Sequence, residues 1–561
     1  MKIIIIGGGI AGLSAATLLC DIPNIEIVIY EKESQLGGQA SSMYTKNCNI
    51  EYSWRIFGYS YDNLKHILFN ILKLQNKFIN ITNSCFIEND KINNASLNWY
   101  NQIYQMLKTM SYENYHKLTD ILCICYDRIM ECYDINAYEY SDKNDVFHAI
   151  CGPFLGMDAK KVSLSGIYKN ACSFIHNSKN DSYITKQPTN DAIFNDWETY
   201  LNKKGVKIHK STVVSNVVLE NNLIKCITVN KDIVHADEYI FSSSLQFVNK
   251  LFENKYKSNT LDNMKKIEKD LQLYFTINLY FSKKIKDKTC EQSVILDSSW
   301  QPIIQRKLVW DQNVLNKCSI NNKKIKEVWN VGFIDYNPGT FNGKILRECS
   351  LDEAIIEGIK QVKNNKYIQQ IFNNQGITFD EVFIGYEHWY QFQNDVNGKL
   401  ICVNPKFSIN VNTMKNMPNC HENDLPKNMT LSGYYVNNTM GGVSMEASCE
   451  TGLTAGKYII DKYKLQSPYN NILPIQHTHK YLTYSTYPFI LIDKLLFYFN
   501  LPSFINYINS FYVLLIYFIL IVVISVYILY KIYKYILLSK NIKLYYYFDR
   551  LIPKGLQFFK L

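Results

Sequence analysis

The chain has 561 residues, 47% hydrophobic and 20% charged, enough for a multi-domain core and contrary to a chain disordered throughout. Its formal charge of +10 is concentrated at the C-terminus: from Lys531 onward there are seven basic residues and one acid, a net of +6, so the body shows no nucleic-acid footprint. The 15 cysteines form no C-x-x-C and the ten histidines no H-x-x-x-H, which excludes the common zinc motifs and points to buried reduced thiols.

Ile3 to Ile6 is a β-branched run that suits a buried strand. An apolar N-terminus can also be a secretory signal, but here Gly7, Gly8 and Gly9 break the run. The spacing Gly7-x-Gly9-x-x-Gly12 supplies a tight turn, a close backbone approach to a pyrophosphate, and helix-on-strand packing. Leu13 to Leu19 is then a helix whose N-terminus favours phosphate. Ile25 to Tyr30 reads as the second strand, and Glu31 follows where a carboxylate accepts hydrogen bonds from ribose. Gly7, Gly9, Ile10, Ala11 and Gly12, with Glu31 and Lys32, are the candidate dinucleotide-binding residues of this segment.

A second glycine pair follows in Leu36-Gly37-Gly38-Gln39-Ala40. It resembles the extended fingerprint of FAD-dependent enzymes of the amine oxidase and phytoene desaturase superfamily. Those enzymes usually carry Arg after the pair, where this chain has Gln39. Glu51 to Gly58, which contains Arg55, and Tyr61-Asp-Asn-Leu64 are similar to the stretch that follows the pair in desaturase-like members. Residues 205–241 read as a strand meander; the resemblance implies that a backbone group of Val214 holds the adenine end. Far downstream come Ser432-Gly433-Tyr434-Tyr435, then Ser444-Met445-Glu446-Ala447 opening a helix to about Tyr463, with Ser444 as N-cap. This resembles the C-terminal flavin motif of the same superfamily. It implies that Gly433, Ser444, Met445 and Glu446 meet the isoalloxazine, with the positive helix end at its pyrimidine edge.

The expected fold is α/β: a discontinuous Rossmann-like FAD-binding domain (1–80, 191–254, 406–463) threaded by an α+β substrate domain. That second domain is formed by a helical insertion (81–190) and a strand-rich one (255–405). The helical spacing is clearest at Tyr100 to Met110 and Tyr115 to Met130, the strand pattern at Leu273 to Tyr280 and Glu327 to Phe333. A polar linker and interfacial helix (464–510), a transmembrane helix (511–530) and a basic tail (531–561) complete the chain. Phe511 to Tyr530 carries no charge and is long enough to cross a bilayer. The expected localisation is a single-pass membrane protein with its flavin domain facing the cytosol, although the basic tail points to the opposite orientation by the positive-inside rule.

The resemblance implies FAD as cofactor and a small-molecule substrate, with the lipid bilayer as partner through 511–530. The leading expectation is oxidation or desaturation of a hydrophobic, isoprenoid- or carotenoid-like molecule. The alternatives are an amine oxidase forming an imine and hydrogen peroxide, and a catalytically silent flavin-binding scaffold; an NAD-dependent dehydrogenase is a third. An amine oxidase guides its substrate with aromatic rings, one of which precedes the Met-Glu pair where this chain has Ser444; Trp389, Tyr390, Tyr434 and Tyr435 are the possible substitutes. Arg55 reads as a flavin or substrate ligand or an interdomain salt bridge, and Lys283 and Lys284 as a lysine near the flavin or a solvated pair. No residue is assigned as catalytic, and no metal site is expected.

Overall fold

The computed structural model describes residues 1–81 (except 54 and 59), 83–88, 91–96, 134–140, 159–169 (except 168), 182–286 (except 272), 292–307, 310, 312–334, 337–405, 409–466 (except 443), 498–499, 501, 519–520, 523 and 525–534. The β-branched runs Lys2–Ile6 (β1) and Glu26–Tyr30 (β2) are strands, joined by the helix Ile10–Leu19 (α1), in which every residue is buried. Asp62–Lys65 (α2) follows, then Lys207–His209 (β3), Glu238–Phe241 (β4), Met429–Leu431 (β5) and the long helix Met445–Tyr463 (α3). The five strands form one parallel sheet in the order β5-β4-β1-β2-β3. Near-continuous apolar strands of this kind need cover on both faces. The largest core cluster supplies it, from α1, α3, Trp197 and Val248 among others. The expected Rossmann-like α/β domain is therefore present, assembled from sequence segments more than 400 residues apart.

The second sheet has seven strands, in the order Phe383–His388, Tyr274–Phe281, Glu327–Ile334, Ile303–Arg306, Gln292–Ile295, Asn83–Glu88, Lys91–Ser96. Its core is rich in aromatic rings, including Phe275, Trp300, Trp329 and Trp389. Two particulars differ from the sequence reading. The 81–190 insertion opens with a strand hairpin that joins this sheet, because Asn83–Glu88 pairs in parallel with Gln292–Ile295. The helix Asn259–Glu268 sends Leu261, Met264 and Ile267 into the nucleotide-domain core. The helical spacings at 100–110 and 115–130 lie outside the described residues.

The cysteine expectation needs correction. Cys48 and Cys318 form a disulfide across 270 residues of sequence. The fold brings them together because the turn after Tyr44 docks on the loop at 318, where Ser319 donates to the Asn47 carbonyl at 3.0 Å. Cys226, Cys349, Cys402, Cys420 and Cys449 are buried free thiols, as expected. Residues 103–120 and 479–561 form a separate unit, whose described part is helical at 525–534. Among the described residues no helix is long and apolar enough to cross a membrane. Most of the expected span at 511–530 lies outside them.

Candidate functional site

The site is built on the carboxyl ends of β1, β2 and β4. After β1 the chain turns at Gly7 (φ +113°), where a Cβ would lie 2.5 Å from the Ser242 carbonyl at the end of β4. A Cβ on Gly12 would lie 2.1 Å from the Gly7 carbonyl, so the helix can seat on the strand only with hydrogen there. Gly9 is different: the nearest atom to its hypothetical Cβ is the Gly38 Cα at 3.9 Å. The first intrahelical bond of α1 runs from Leu13 to the Gly9 carbonyl at 3.0 Å. The amides of Ile10, Ala11 and Gly12 precede it and form the donor end of the helix.

The second glycine pair lies against the first turn. Gly37 (φ +111°) donates to the Gly8 carbonyl at 2.9 Å, and Gly38 (φ +55°) is exposed beside Gly9. Gly9 and Gly38 thus meet backbone to backbone and present a strip bare of side chains. Glu31 fixes the adjoining backbone: one carboxylate oxygen accepts from Gly8 N–H at 2.7 Å and the other from Glu33 N–H at 2.9 Å. Burial raises the Glu31 pKa above the ordinary carboxylate value. A carboxylate has about four acceptor positions, so these bonds leave capacity for a ribose hydroxyl. Lys32 points outward and sits 3.4 Å from Glu33. Val214 begins the strand Val214–Glu220, and the chain just before it is tied to the end of β2 by Thr212 N–H on the Glu31 carbonyl at 2.8 Å.

The downstream motif reaches the same place. Ser432 donates to the Phe241 carbonyl at 2.9 Å, which sets Gly433 (φ +130°) beside the end of β4. Ser444 caps α3 by accepting from Ala447 N–H at 3.0 Å. α3 lies directly on α1: a Cβ on Gly452 would stand 2.1 Å from the Ala11 carbonyl, and Ser14 donates to the Cys449 sulfur at 3.3 Å. Glu446 faces α2, accepting from Asn63 N–H, Asn63 Nδ2 and Leu64 N–H, each at 2.9 Å. Burial pushes its carboxyl up to about 7.

Gln39 donates from its side chain to the Asn404 carbonyl at 2.7 Å. Its own carbonyl accepts from the Arg55 guanidinium, which also donates to Ser53 Oγ at 2.5 Å. Of the aromatic candidates, Trp389 and Tyr435 are core residues, each 1% exposed, while Tyr390 is 40% exposed and Tyr434 half-buried. Lys283 and Lys284 are exposed, the solvated pair of the two readings.

Sequence reasoning named no role for Tyr61, Glu51, Gln305 or Lys307. The Tyr61 hydroxyl lies by the Met445 backbone N–H and the Ser444 side chain, at the start of α3. Lys307 forms a buried ion pair with Glu51 and donates to Gln305 Oε1 at 2.7 Å; Gln305 also bonds both backbone groups of Arg55. The Glu51-x-x-x-Arg55 spacing was the one available signal for this cluster. Among the described residues no group of His, Cys, Asp and Glu suits a metal ion.

The bare backbone at Gly9 and Gly38, flanked by the α1 amides and Glu31, fits the close approach of an extended dinucleotide, and a larger side chain at Gly9 would block that approach. Residues 5–71 match the family described as the NAD(P)-binding Rossmann-like domain. No curated protein matches the chain. Among solved structures, an oxidoreductase from Methanosarcina mazei is 14% identical, with a TM-score of 0.57 over 82% of this chain and 100% of that one. Putrescine oxidase bound to putrescine is 12% identical, with a TM-score of 0.54 over 82% and 99% of the two chains. A CLA-producing fatty acid isomerase from P. acnes is 13% identical, with a TM-score of 0.51 over 82% and 98%. This chain has the fold of these proteins, with a Rossmann-like domain at its start.

Proposed function

We propose that the chain is an FAD-dependent oxidoreductase of the amine oxidase type. The observation that carries the reading is the packing of α3 on the first turns of α1, which brings the start of α3 beside the N-terminal glycine turns. FAD bound there would supply a two-electron acceptor for a hydride or its equivalent. The α1 amides and Glu31 would hold its pyrophosphate and ribose, Val214 its adenine end. Gly433, Ser444 and Met445 would border the flavin, with the positive end of α3 favouring negative charge. The test is the visible absorption of the purified full chain. An oxidised-flavin spectrum is expected; a colourless protein that refuses added FAD would overturn the proposal.

For the substrate, we favour oxidation or desaturation of a hydrophobic small molecule over an amine. Ser444 stands where an amine-guiding ring is expected, and Trp389 and Tyr435 are committed to the cores. Stopped-flow reduction with polyenes and with amines separates the two; flavin that neither reduces favours the silent scaffold. The apolar run at 511–530 would hold the body at a membrane. The Cys48–Cys318 disulfide and the basic tail both favour a body on the non-cytosolic side, against the cytosol-facing reading of the sequence. Protease protection of membranes containing the full chain decides the orientation.

A further inference from the structure

Five Asn-x-Ser/Thr sequons without an intervening proline occur in the chain, at Asn80, Asn94, Asn180, Asn428 and Asn437. The fold separates them. Asn428 is 7% exposed and its amide is committed to Ile224, donating to the carbonyl at 3.0 Å and accepting from N–H at 2.8 Å. Asn437 accepts from Lys169 at 3.0 Å and donates to Asn419 at 3.2 Å, and the hydroxyl of its sequon partner Thr439 donates to Glu450 at 2.8 Å. The side chains of Asn94 and Asn180 lie outside the described ones. Asn80-Ile81-Thr82 is different: Asn80 is exposed, and its side chain has no hydrogen-bond partner among the described residues.

Asn80 lies in the strand Phe78–Ile81, which pairs antiparallel with Ser182–Thr185. Opposite it stands Tyr183, whose backbone faces the other way. Tyr183 N–H donates to the Phe57 carbonyl at 3.0 Å, and its carbonyl accepts from Phe57 N–H at 2.8 Å. Asn80 and Tyr183 are therefore a non-hydrogen-bonded pair, so the N–H and C=O of Asn80 point to the outer edge. Among the described residues no strand pairs with that edge. Phe78 and Ile81 anchor the strand at 4% and 8% exposure, while Ile79 beside Asn80 is 37% exposed. An open edge with an apolar side chain on it invites pairing with another chain, and a bulky polar group on Asn80 would block that approach.

We propose that Asn80 carries an N-linked oligosaccharide. The inference rests on the non-cytosolic orientation of the body, the same compartment that the Cys48–Cys318 disulfide favours. The donor is a polyprenyl-diphosphate oligosaccharide. Asn80 Nδ2 attacks the anomeric carbon of its first sugar and the N-glycosidic bond forms. The bond from that carbon to the diphosphate oxygen breaks, the polyprenyl diphosphate leaves with the electron pair, and the amide gives up one proton.

The test isolates membranes from eukaryotic cells expressing the full chain. Gel mobility is read before and after peptide N-glycosidase, and peptide mapping assigns the site. The glycosidase should increase mobility and leave aspartate in place of Asn80. Asn80→Gln should lose the shift with FAD content unchanged. Thr82→Val, which keeps the asparagine, should lose it as well, because the whole sequon is read. Protease protection of the same membranes separates the two claims. A protected body with unmodified Asn80 overturns the glycan and leaves the orientation standing. A body digested from the cytosolic side and unmodified overturns both. A glycan mapped to Asn94 or Asn180 and not to Asn80 also overturns the proposal.

Discussion

Replacing Gly452 by alanine sets two effects of opposite sign against each other. In a helix interior alanine is favoured over glycine by about 1 kcal/mol. Yet the new methyl would stand 2.1 Å from the Ala11 carbonyl oxygen and 2.8 Å from its carbon, both backbone atoms of the first turn of α1. Ordinary carbon contacts begin near 3.4 Å, so α3 must retreat by roughly 1 Å at this point. Overpacking of this kind costs about 1–3 kcal/mol, and here no flexible side chain can yield. The clash should win, for a net loss of up to about 2 kcal/mol. Because the atoms displaced belong to the phosphate-facing end of α1, FAD affinity should fall as well. Flavin fluorescence during a thermal ramp reports the release temperature, and equilibrium dialysis reports affinity. Gly376→Ala is the control: its φ of +62° makes a side chain strained, but nothing lies within 4 Å, so it should cost stability without touching FAD affinity. A Gly452→Ala protein that releases flavin at or above the wild-type temperature with unchanged affinity would refute the claim that this contact holds the two flavin segments together.

At Gly9, alanine should be tolerated, since its methyl would make only an ordinary contact with Gly38 at 3.9 Å, and glutamate should abolish FAD uptake in a protein that still folds; normal uptake by Gly9→Glu places the pyrophosphate elsewhere. Glu446 titrates near 7 when folded, against 4.5 unfolded, so its contribution is full below pH 4.5 and is lost as pH rises through 7. Relative to Glu446→Gln, the wild type should lose about 3 kcal/mol between those limits in denaturant titrations, and a pH-independent difference would contradict the raised value. Peptide mapping without reductant should recover Cys48 linked to Cys318, and Cys48→Ala should cost up to about 5 kcal/mol by the chain-entropy account of so long a loop; free thiols at both positions would refute the pairing.

Much of the nucleotide domain was legible because its signals are local. Four consecutive β-branched residues, three glycines at fixed spacing and a second apolar run ending in an acid determine β1 and β2 within a residue, while α1 begins at Ile10, three residues before the expected start at Leu13. The start of α3 was legible for the same reason: Ser444 is a good N-cap, and it caps. The fit of the two helices could be anticipated only in kind. Small residues at 452 and 456 announce a close approach, but the sequence does not say to what. The hairpin was missed because Asn83, Ser84, Asn93 and Asn94 break up its strands and mask the alternation of period two. The Cys48–Cys318 pair was missed because nothing local distinguishes those two cysteines from the rest.

Arg55 itself was legible as a candidate, but the cluster around it was not, for an energetic reason. A buried charge is expensive unless bonds from elsewhere in the fold compensate it. The compensation for Glu51 comes from Thr189 and Lys307, and that for Arg55 from Gln39 and Ser53, so residues spread over more than 250 positions must assemble before either charge can be tolerated.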